Sequence, residues 1–529
     1  MRIARHPVTR RTLAIATATA GALAVLAGVA APAQAASCSK PGRDDINGDG
    51  FADAVVTEYG AGRLAGRVHV FYGTPDGLTA KATGTAPDDR IFSQNTKGVP
   101  STSEPMDEWG AALAMGDLNG DGCSDLAVGA PGENGAAGAV TILFGSPAGL
   151  KTGGALSLRQ GFGEVPGVDE PNDRFGNALA AGDFDGNGLA DLAIGLPGES
   201  LGAAYQAGAV VVLYGSKYGF TKGRAGRWLA QGPAWGTPSE SNDRFGTTLA
   251  AADFDGTGPA DLAIGVPGED RAAGGVHVLL SNKMGVAKSA PLINRATAGV
   301  PGEPTSRDGF AAALAAGDID GDGRADLAVG IPGEEAGAGA VSVLYSVAPH
   351  SGGGSGVTGA RADRWTQSSV GMPGVPKPGD GFGSALAIGK LNKGGYGDLA
   401  IGVPADDVGL VQDAGTVHVL MGSAKGLVVA GNRLLHQNLD GVTGVAAPGD
   451  RFGLSVRASR VMGGVVDNLI VGVPAEGVAG TNTQNAGAFQ VFGRSSTGPT
   501  ATKSRLWTLA DAGVAGDPQP GAFLGYLFG

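Results

Sequence analysis

A nine-residue loop that alternates oxygen-bearing side chains with other residues constrains this chain more than any other feature. The clearest copy runs from Asp183 to Asp191, with Asp or Asn at positions 1, 3, 5 and 9 and glycine at positions 4 and 6. This alternation lets a short loop wrap a hard cation, because every second side chain points inward and glycine takes tight backbone angles. An apolar run with strand character follows directly, so the loop is predicted at a turn between two strands.

Five copies of this loop keep most of the oxygen-bearing positions and begin 65 to 72 residues apart. A cation in such a loop takes the side chains at positions 1, 3, 5 and 9 and the backbone carbonyl of position 7 as ligands. We predict about five calcium sites. Loop by loop, the predicted ligands are Asp45, Asn47, Asp49, Phe51 and Asp53; Asp117, Asn119, Asp121, Cys123 and Asp125; Asp183, Asp185, Asn187, Leu189 and Asp191; Asp253, Asp255, Thr257, Pro259 and Asp261; and Asp318, Asp320, Asp322, Arg324 and Asp326.

The alternative to calcium is a metal-free loop in which Asp and Asn only cap tight turns. A metal-free loop must hold its carboxylates near one another, and two charges ~5 Å apart repel by ~3 kcal/mol at an effective dielectric constant of ~20. A bound cation removes this cost, so calcium is favoured, with a mainly structural role. Thr257 makes the fourth loop the weakest, whereas Pro259 is compatible because only its carbonyl is needed.

The loops belong to a longer repeat with roughly four short strands and no convincing helix. A sixth copy from Lys390 to Asp398 and a seventh from Arg460 to Asp467 have lost most of the cation ligands. Four strands in each repeat is the content of a propeller blade. The predicted fold class is therefore all-β, a seven-bladed β-propeller.

The two ends of the chain predict how the ring closes. Repeat one starts at the Asp45 loop without a preceding strand, and the segment 521–529 has the character of that missing strand. Pairing of the N- and C-terminal strands in one sheet removes two open edges. We predict one propeller over residues 36–529, with a flexible Gly/Ser-rich insertion near 349–359.

Residues 1–35 have the pattern of an export signal. Four arginines precede an Ala/Leu/Val-rich run that ends at Ala33-Gln34-Ala35, a small-residue cleavage pattern. Arg10-Arg11 leaves the twin-arginine route open beside the general secretory route. No later stretch is long and apolar enough to cross a bilayer, so we predict a secreted, extracellular protein without a transmembrane segment. The net charge of −12 argues against a nucleic-acid partner.

The two cysteines, Cys38 and Cys123, favour a disulfide over a metal site or a nucleophile, because an exported chain meets an oxidising environment. This bond would fasten the mature N-terminus to the second Asp loop. A lipid anchor at Cys38 is the alternative. The preceding residues 35–37 lack the usual leucine for such an anchor, which would also leave Cys123 unpaired.

Three motifs recur in a fixed order: an aromatic-glycine step such as Phe175-Gly176, the Asp loop, and a Gly-x-Pro strand such as 195–197. In this order they resemble FG-GAP repeats, the unit of integrin α-subunit propellers and of many exported bacterial proteins. The resemblance covers nearly all of the mature chain. It implies a seven-bladed propeller with calcium between the first two strands of a blade, on one face. Residues 55–58 depart from Gly-x-Pro, and no companion chain is visible, so integrin-like partner binding does not carry over.

The polar connectors between repeats are predicted to lie on the face opposite the calcium loops. There Trp109, Trp235 and the aspartates Asp173, Asp243 or Asp308 could line a ligand surface. The alternative is that these residues only shape the connector and cap strands. We predict a binding or adhesion-type module, a monomer, that recognises a carbohydrate, a cell-envelope component or a protein.

Two other functions remain open. An extracellular hydrolase or lyase on a polymer or lipid is one, because FG-GAP propellers also accompany such enzymes. The sequence shows no converging acid–base set, however, and no catalytic residue is predicted. The G-x-S-x-G pattern at 198–202 lacks the helix that a nucleophile turn requires. A structural scaffold without a ligand is the other alternative.

Overall fold

A four-stranded antiparallel sheet is the repeating unit of the computed structural model. The structure describes residues 38, 44–82, 87–217, 219–221, 224–348, 356–477 and 483–529. The predicted export signal, residues 1–35, lies outside the described residues. So do residues 349–355 of the predicted insertion, and a strand begins directly after them at Gly356.

Among the described residues, seven such sheets form blades 1 to 7. Blade 1 contains β1 (Ala54–Glu58), β2 (Arg67–Phe71) and β3 (Arg90–Phe92), joined by the C-terminal strand described below. Blade 2 contains β4 (Ala112–Gly116), β5 (Asp125–Ala130), β6 (Ala139–Phe144) and β7 (Lys151–Leu158). Blade 3 contains β8 (Ala178–Gly182), β9 (Asp191–Leu196), β10 (Ala209–Leu213) and β11 (Arg227–Leu229).

The later blades repeat this plan, and blade 4 carries an extra hairpin. Blade 4 contains β12 (Thr248–Ala252), β13 (Asp261–Val266), β14 (Gly275–Leu279) and β17 (Leu292–Ile293), with the hairpin β15 (Ser281–Asn282) and β16 (Gly285–Val286). Blade 5 contains β18 (Ala313–Gly317), β19 (Asp326–Ile331), β20 (Ala340–Val347) and β21 (Gly356–Trp365). Blade 6 contains β22 (Ala385–Gly389), β23 (Asp398–Val403), β24 (Thr416–Met421) and β25 (Val428–Leu435). Blade 7 contains β26 (Val456–Ser459), β27 (Asn468–Val473), β28 (Ala488–Ser495) and β29 (Gly498–Thr508).

Helical structure in the described residues is limited to single turns. Four α-turns contain central residues with positive φ, so they are tight turns and not regular helices. They are α1 (Ala61–Leu64), α2 (Glu133–Ala136), α3 (Glu269–Ala272) and α4 (Glu334–Gly337). Two 3₁₀ turns cover Gly219–Thr221 and Pro233–Trp235.

The ring closes as the sequence predicted. The last strand, β30 (Leu524–Phe528), pairs antiparallel with β1, placing Phe528 opposite Val56, and completes blade 1. The innermost strands of neighbouring blades contact one another around the whole circle, in the order β30, β4, β8, β12, β18, β22, β26 and back to β30. The fold is therefore a seven-bladed β-propeller in which β1 and β30, the first and last strands of the described residues, share one sheet.

The hydrophobic core lies between blades. Seven buried clusters each combine side chains of two neighbouring blades, including one between blades 7 and 1. In that closing cluster Phe71 contacts Phe489 and Trp507, with ring centroids 5.1 and 5.4 Å apart. The second strand of a blade is buried along its whole length, as in β9, because blades cover both of its faces. This explains why these strands are continuously apolar.

Close packing between blades explains two glycine motifs. A Cβ added to Gly195, in the Gly-x-Pro strand of blade 3, would lie 2.1 Å from the carbonyl oxygen of Gly246 in the aromatic-glycine step of blade 4. Gly129 meets Gly176 in the same way, at 2.1 Å. No side chain fits at that distance. The two motifs recur together because each junction brings them into contact.

Antiparallel pairing sorts the connections of each blade onto two faces. Turns between the first and second strands and between the third and fourth strands lie on one face, which we call the loop face. Turns between the second and third strands, and the connectors from one blade to the next, lie on the opposite connector face. Parallel bridges such as Gly208 to Phe245 join a second-to-third turn to the following connector and confirm this arrangement.

Candidate metal centre

The first aspartate of each nine-residue loop organises the loop backbone. In the third loop, Asp183 Oδ1 accepts a hydrogen bond from Asn187 N at 3.0 Å and Oδ2 accepts one from Gly188 N at 2.8 Å. Gly186 and Gly188 have φ values of +69° and +87°, which other residues rarely adopt. The carboxylate therefore curls the chain around itself. Equivalent bonds to position 6 form at Asp45, Asp117, Asp253 and Asp318.

The aspartate at position 9 pins two strands together. Asp191 Oδ2 accepts from Phe184 N, and Oδ1 accepts from Gly215 N, both at 2.7 Å. Asp398 makes the same two bonds in the sixth loop, to Leu391 N at 3.0 Å and Gly422 N at 2.9 Å, although that loop lacks most cation ligands. Position 9 is therefore structural in its own right.

The seventh loop corrects one register in the sequence analysis. We expected Asp467 at the end of this loop, but strand β27 begins at Asn468, and Asn468 occupies the position of the final aspartate. Its Nδ2 donates to Phe492 O at 3.1 Å, replacing the usual bond between backbone and carboxylate. The sequence signal was available, since counting nine residues from Arg460 reaches Asn468.

Three loops bring three carboxylates within cation-binding distance. In each, oxygen atoms from positions 1, 3 and 9 all lie within 4.8 Å of one another. The sets are Asp183, Asp185 and Asp191; Asp253, Asp255 and Asp261; and Asp318, Asp320 and Asp326. The first two loops have Asn at position 3 and so two of these carboxylates. An all-oxygen set of this kind suits a hard divalent cation such as calcium.

Position 7 also takes part in the loop geometry. Its backbone amide donates to the side chain at position 5, for example Leu189 N to Asn187 Oδ1 at 2.7 Å. Phe51, Cys123 and Arg324 make the equivalent bond to position 5 at 2.9–3.0 Å. Pro259 has no amide hydrogen, so the fourth loop lacks this bond. The position 5 side chain is thus engaged by the loop backbone, and among the described residues the carboxylates of Asp49, Asp121 and Asp322 do not join a three-carboxylate cluster.

Burial makes the loop carboxylates costly to ionise. Burial, together with the neighbouring charges of Asp185 and Asp183, raises the pKa of Asp191 to about 7, although hydrogen bonds from Gly215 and Phe184 lower it. The same combination raises the pKa of Asp261 and Asp326 to about 7. A cation in the loop would counter these charges directly.

Two arginines supply counter-charge that the sequence analysis missed. Arg224 Nη1 lies 3.2 Å from Asp185 Oδ2, and Arg361 pairs with Asp320 in the fifth loop. The guanidinium of Arg224 lies over the Tyr214 ring at 3.7 Å. Each arginine is about 40 residues from its aspartate in sequence, so no local sequence motif predicts the pair. The arginines contact position 3 and leave the position 1 carboxylate to the loop.

Backbone hydrogen bonds join neighbouring loops into a closed circle. The amide at position 8 of each loop donates to the carbonyl of position 1 in the preceding loop, as in Ala190 N to Asp117 O at 2.9 Å. The other bonds run from Ser124 to Asp45, Ala260 to Asp183, Ala325 to Asp253, Gly397 to Asp318, Asp467 to Lys390 and Ala52 to Arg460. Every loop therefore touches two others through the main chain.

A disulfide strengthens the start of this circle. Cys38 is bonded to Cys123, which lies within the second loop, with a Cα–Cα distance of 5.2 Å. A Cβ at Gly48 would lie 2.3 Å from Cys38 Cβ, so the bridge also packs against the first loop. The bond closes a chain segment of 85 residues and limits the freedom of the unfolded chain.

The connector residues proposed as a ligand surface are structural. Trp109 and Trp235 are buried in the cores between blades. Asp173 is also buried, and its Oδ2 accepts from Glu170 N at 3.1 Å. Asp243 and Asp308 cap their own connectors in the same manner. The expectation that these five residues line an exposed ligand surface was wrong, because the aromatic side chains pack inward and the carboxylates are buried and accept from the main chain.

Histidines and the serine motif also have local structural roles. His69 is fully buried, with Nε2 3.2 Å from Glu58 Oε2. His277 Nδ1 lies 2.8 Å from Ala290 O. Ser200 Oγ accepts from Gln206 N at 3.3 Å, and strand β10 follows it in place of a helix. These groups occupy separate blades or turns and do not form a catalytic set.

A repeated polar pair on the connector face was not anticipated. At five junctions a Gln lies two positions after the outer strand of a blade. Its amide donates to a carboxylate in the second-to-third turn of the next blade, as in Gln160 Nε2 to Glu199 Oε2 at 3.0 Å. The other pairs are Gln94 and Glu133, Gln231 and Glu269, Gln367 and Asp406, and Gln437 and Glu476. Arg295 takes the Gln position at the junction of blades 4 and 5. Each pair joins one blade to its neighbour.

The Gln437–Glu476 pair predicts a pH dependence of stability. Burial, together with the charge of Asp450, raises the pKa of Glu476 to about 7, although the Gln437 bond lowers it. The folded state then binds a proton more tightly than the unfolded chain. Its contribution is greatest at low pH and is lost as the pH rises through about 7. We expect Glu476→Gln to flatten the fall in melting temperature between about pH 5 and pH 8.

Thermal melts across this pH range measure the effect, with the exposed Glu303→Gln as a matched control that removes the same charge. An unaltered pH profile in Glu476→Gln would contradict the prediction.

Comparison with known proteins identifies the repeats. A family model described as FG-GAP repeat matches residues 109–143, 175–213, 245–279 and 310–344. These ranges coincide with blades 2 to 5, from the aromatic-glycine step to the third strand. They include the second to fifth Asp loops, with Phe310-Ala311 in place of the aromatic-glycine step in the last of the four.

Related proteins match parts of the chain. Integrin alpha-PS2 of Drosophila melanogaster is 30% identical over 261 residues, covering 48% of this chain and 17% of that protein. Phosphatidylinositol-glycan-specific phospholipase D of Rattus norvegicus is 36% identical over 169 residues, covering 31% of this chain and 19% of that protein. The match thus spans less than a fifth of the length of these relatives.

Among solved structures, the Dos1 propeller aligns with a TM-score of 0.33 and 12% identity, covering 77% of this chain and 69% of that chain. The fold assignment rests on the strand pairing described above. Among the residues that the structure describes, no helix combines the length and apolar character needed to cross a membrane.

The family model matches four repeats, in blades 2 to 5, and integrin alpha-PS2 is similar over 48% of this chain. The chain therefore contains four FG-GAP repeats within a seven-bladed β-propeller and is homologous in part to integrin alpha.

Proposed function

We propose that this chain is an exported, calcium-stabilised binding module that engages a protein ligand through its connector face. The observation that carries this proposal is the placement of exposed large hydrophobic side chains. Of ten such residues among those described, eight lie in connectors or second-to-third turns. They are Met106, Phe162, Val168, Tyr205, Val370, Val375, Leu410 and Val445.

The loop face provides the contrast. Among the described residues it carries two of the ten, Met284 in the β15–β16 hairpin and Val465 in the seventh loop. Apolar side chains that share one face are available to a partner on that face, and exposed apolar patches mark sites of protein interaction. Aliphatic groups with a few aromatic rings and polar neighbours are typical of the surfaces that bind proteins. In this proposal the loop face carries the cation loops and the circle of backbone hydrogen bonds, and the connector face binds the ligand.

The alternatives receive less support. A scaffold without a ligand does not account for the apolar side chains on the connector face. The activity named for the phospholipase D relatives is not transferred, because the match spans about 19% of the rat protein. The buried acids of this chain cap loops or join blades, as described above. The disulfide supports export, and the acidic loops support calcium binding.

The test is a pull-down with the mature protein, residues 36–529, in calcium and in chelator. Bait materials are cell envelopes, protease-treated envelopes and insoluble polysaccharides. We expect calcium-dependent retention on untreated envelopes and its loss after protease treatment. A triple variant with Phe162→Ser, Tyr205→Ser and Leu410→Ser should lose at least about tenfold in retention, equivalent to about 1.4 kcal/mol.

The matched control carries Met284→Ser and Val465→Ser on the loop face and should be retained like the unmodified protein. Retention on polysaccharide or on protease-treated envelopes would replace the protein ligand by a carbohydrate or lipid component. No retention on any material would favour the scaffold.

A further inference from the structure

The blade junctions on the connector face share four equivalent positions, and one junction collects three carboxylates there. Between blades 2 and 3, oxygen atoms of Glu170, Asp173 and Glu199 all lie within 4.8 Å of one another. Asp173 and Glu199 are buried, and Glu170 is exposed. An ion pair of the same connector joins Arg159 to Asp169 at 3.9 Å. Among the described residues, no arginine, lysine or histidine pairs with the three clustered carboxylates.

A buried amide enters this cluster with one atom unused. Gln160 is fully buried, and its Nε2 donates to Glu199 Oε2 at 3.0 Å. Its Oε1 is also buried and has no hydrogen-bond partner among the described residues, and the same holds for the equivalent glutamine at the four other junctions that have one. The junction between blades 2 and 3 differs in combining this oxygen with three clustered carboxylates. An unpaired buried carbonyl oxygen costs about 1–3 kcal/mol. A cation placed beside the three carboxylates could also accept this oxygen as a ligand.

The junction between blades 4 and 5 shows what occupies this place. There Arg295 stands at the Gln160 position, with Nη1 2.8 Å from Asp308 Oδ2 and Nη2 2.7 Å from Glu334 Oε1. Asp308 and Glu334 are the equivalents of Asp173 and Glu199. Thr305 replaces the exposed Glu170. One junction therefore places a cation of the protein itself between the two equivalent carboxylates.

Junctions that have a glutamate at the Glu170 position do not have an arginine or lysine at the Gln160 or Glu170 position. Glu occupies the exposed position at the first three junctions, where the amide position is Gln: Glu104, Glu170 and Glu240. The fourth junction has Thr305 with Arg295, and the fifth has Lys377, which pairs with Asp407 at 2.6 Å. None of these five junctions combines both, and the sixth, with Gln437 and Ala447, has neither.

We propose that a divalent cation binds between blades 2 and 3 on the connector face, held by the carboxylates of Glu170, Asp173 and Glu199 with Gln160 Oε1 as a further oxygen ligand. It takes the place that the Arg295 guanidinium holds at the junction of blades 4 and 5. The ligand set consists only of oxygen, which favours calcium, magnesium or manganese over zinc or copper. The exposed Glu170 gives the cation a route to solvent.

This site differs from the loop sites in position and in effect. It lies on the opposite face and joins a connector to the turn of the next blade. That connector carries Phe162 and Val168, two of the exposed apolar side chains. A cation at this junction would therefore stiffen the segment that presents them. The site stands independently of the ligand proposed above, because it rests on the junction geometry alone.

The decisive experiment replaces the proposed cation by an arginine side chain, as found at Arg295 between blades 4 and 5. The double variant Gln160→Arg with Glu170→Thr rebuilds the Arg295 and Thr305 arrangement between blades 2 and 3. Bound calcium is counted by equilibrium dialysis of the full mature chain, and manganese positions are located by anomalous scattering from soaked crystals. We expect the variant to bind one cation fewer than the unmodified protein and to lose the manganese peak at this junction, while the loop peaks remain.

The matched control is Glu303→Gln, which removes a carboxylate from an exposed position in the blade 4 to 5 connector. It should leave the cation count and the peaks unchanged. The double variant should also lose less melting temperature in chelator than the unmodified protein, since it carries its own cation. An equal cation count in variant and unmodified protein, or filled loops with no manganese peak among the three carboxylates, would overturn the proposal.

Discussion

Truncation of the chain after Gly516 is expected to destabilise all seven blades together. The change removes β30, which pairs with β1 and buries Leu524 completely. It also removes the stack of Tyr526 on Tyr59, with ring centroids 4.4 Å apart. Loss of one buried leucine and one partly buried phenylalanine costs roughly 5 kcal/mol, and the edge of β1 is left unpaired as well. We expect the melting temperature to fall by about 5 °C in a thermal scan followed by circular dichroism, because a domain of this length has a large entropy of unfolding.

A synthetic peptide of residues 517–529, added in excess to the truncated protein, provides the control. If the missing strand alone is responsible, the peptide restores most of the lost stability, as any ligand of the folded state does. A truncated protein that melts like the full chain would show that β30 does not close the ring. The point variant Leu524→Ala should show a smaller fall in the same direction, about 2–5 kcal/mol.

Replacement of Asp183 by Ala is expected to weaken the response of the protein to calcium. In the third loop this carboxylate faces Asp185 and Asp191 and accepts two backbone hydrogen bonds. The variant should melt lower in calcium, because it loses about 2.7 kcal/mol if the ion is present at a hundred times its dissociation constant. Its melting temperature should also fall less than that of the unmodified protein when chelator is added. Differential scanning calorimetry in calcium and in chelator measures both effects.

Asp398→Ala separates cation binding from strand pinning. Asp398 makes the same two backbone bonds as Asp191 but belongs to a loop that begins with Lys390. This control should melt lower in both conditions and keep the full chelator response. If Asp183→Ala also keeps the full response, the third loop does not bind calcium.

The ring could be predicted because its signals are local. An Asp loop, a Gly-x-Pro strand and an aromatic-glycine step each lie within a few residues, and their repetition counts the blades. Closure followed from the strand-like segment at the C-terminus and the missing strand in repeat one. Position 9 of the loops was predicted as a ligand, but its bonds to the third strand were not, since Asp191 and Gly215 are 24 residues apart.

The parts that escaped prediction depend on contacts between blades. Gln160 reaches Glu199 across 39 residues and a blade boundary, so neither residue forms a recognisable motif alone. The sequence placed Trp109 on a ligand surface because aromatic side chains in connectors often bind ligands. In the structure Trp109 is buried, with Nε1 3.1 Å from Thr141 Oγ1. Burial in this fold depends on the neighbouring blade, which a single repeat does not reveal.

The circle of backbone hydrogen bonds on the loop face has a consequence for how such a chain can change over time. An open array of repeats tolerates gain or loss of a unit, because each unit contacts only its neighbours. A circle fixes the number of members, since the amide of every loop needs an acceptor in the preceding loop and its carbonyl needs a donor in the following loop. The loop residues of a repeat can then be substituted, but deletion of the whole repeat would break the circle. The sixth and seventh loops illustrate this: they begin with Lys390 and Arg460 where the others have aspartate, yet both carbonyls still accept their bonds in the circle.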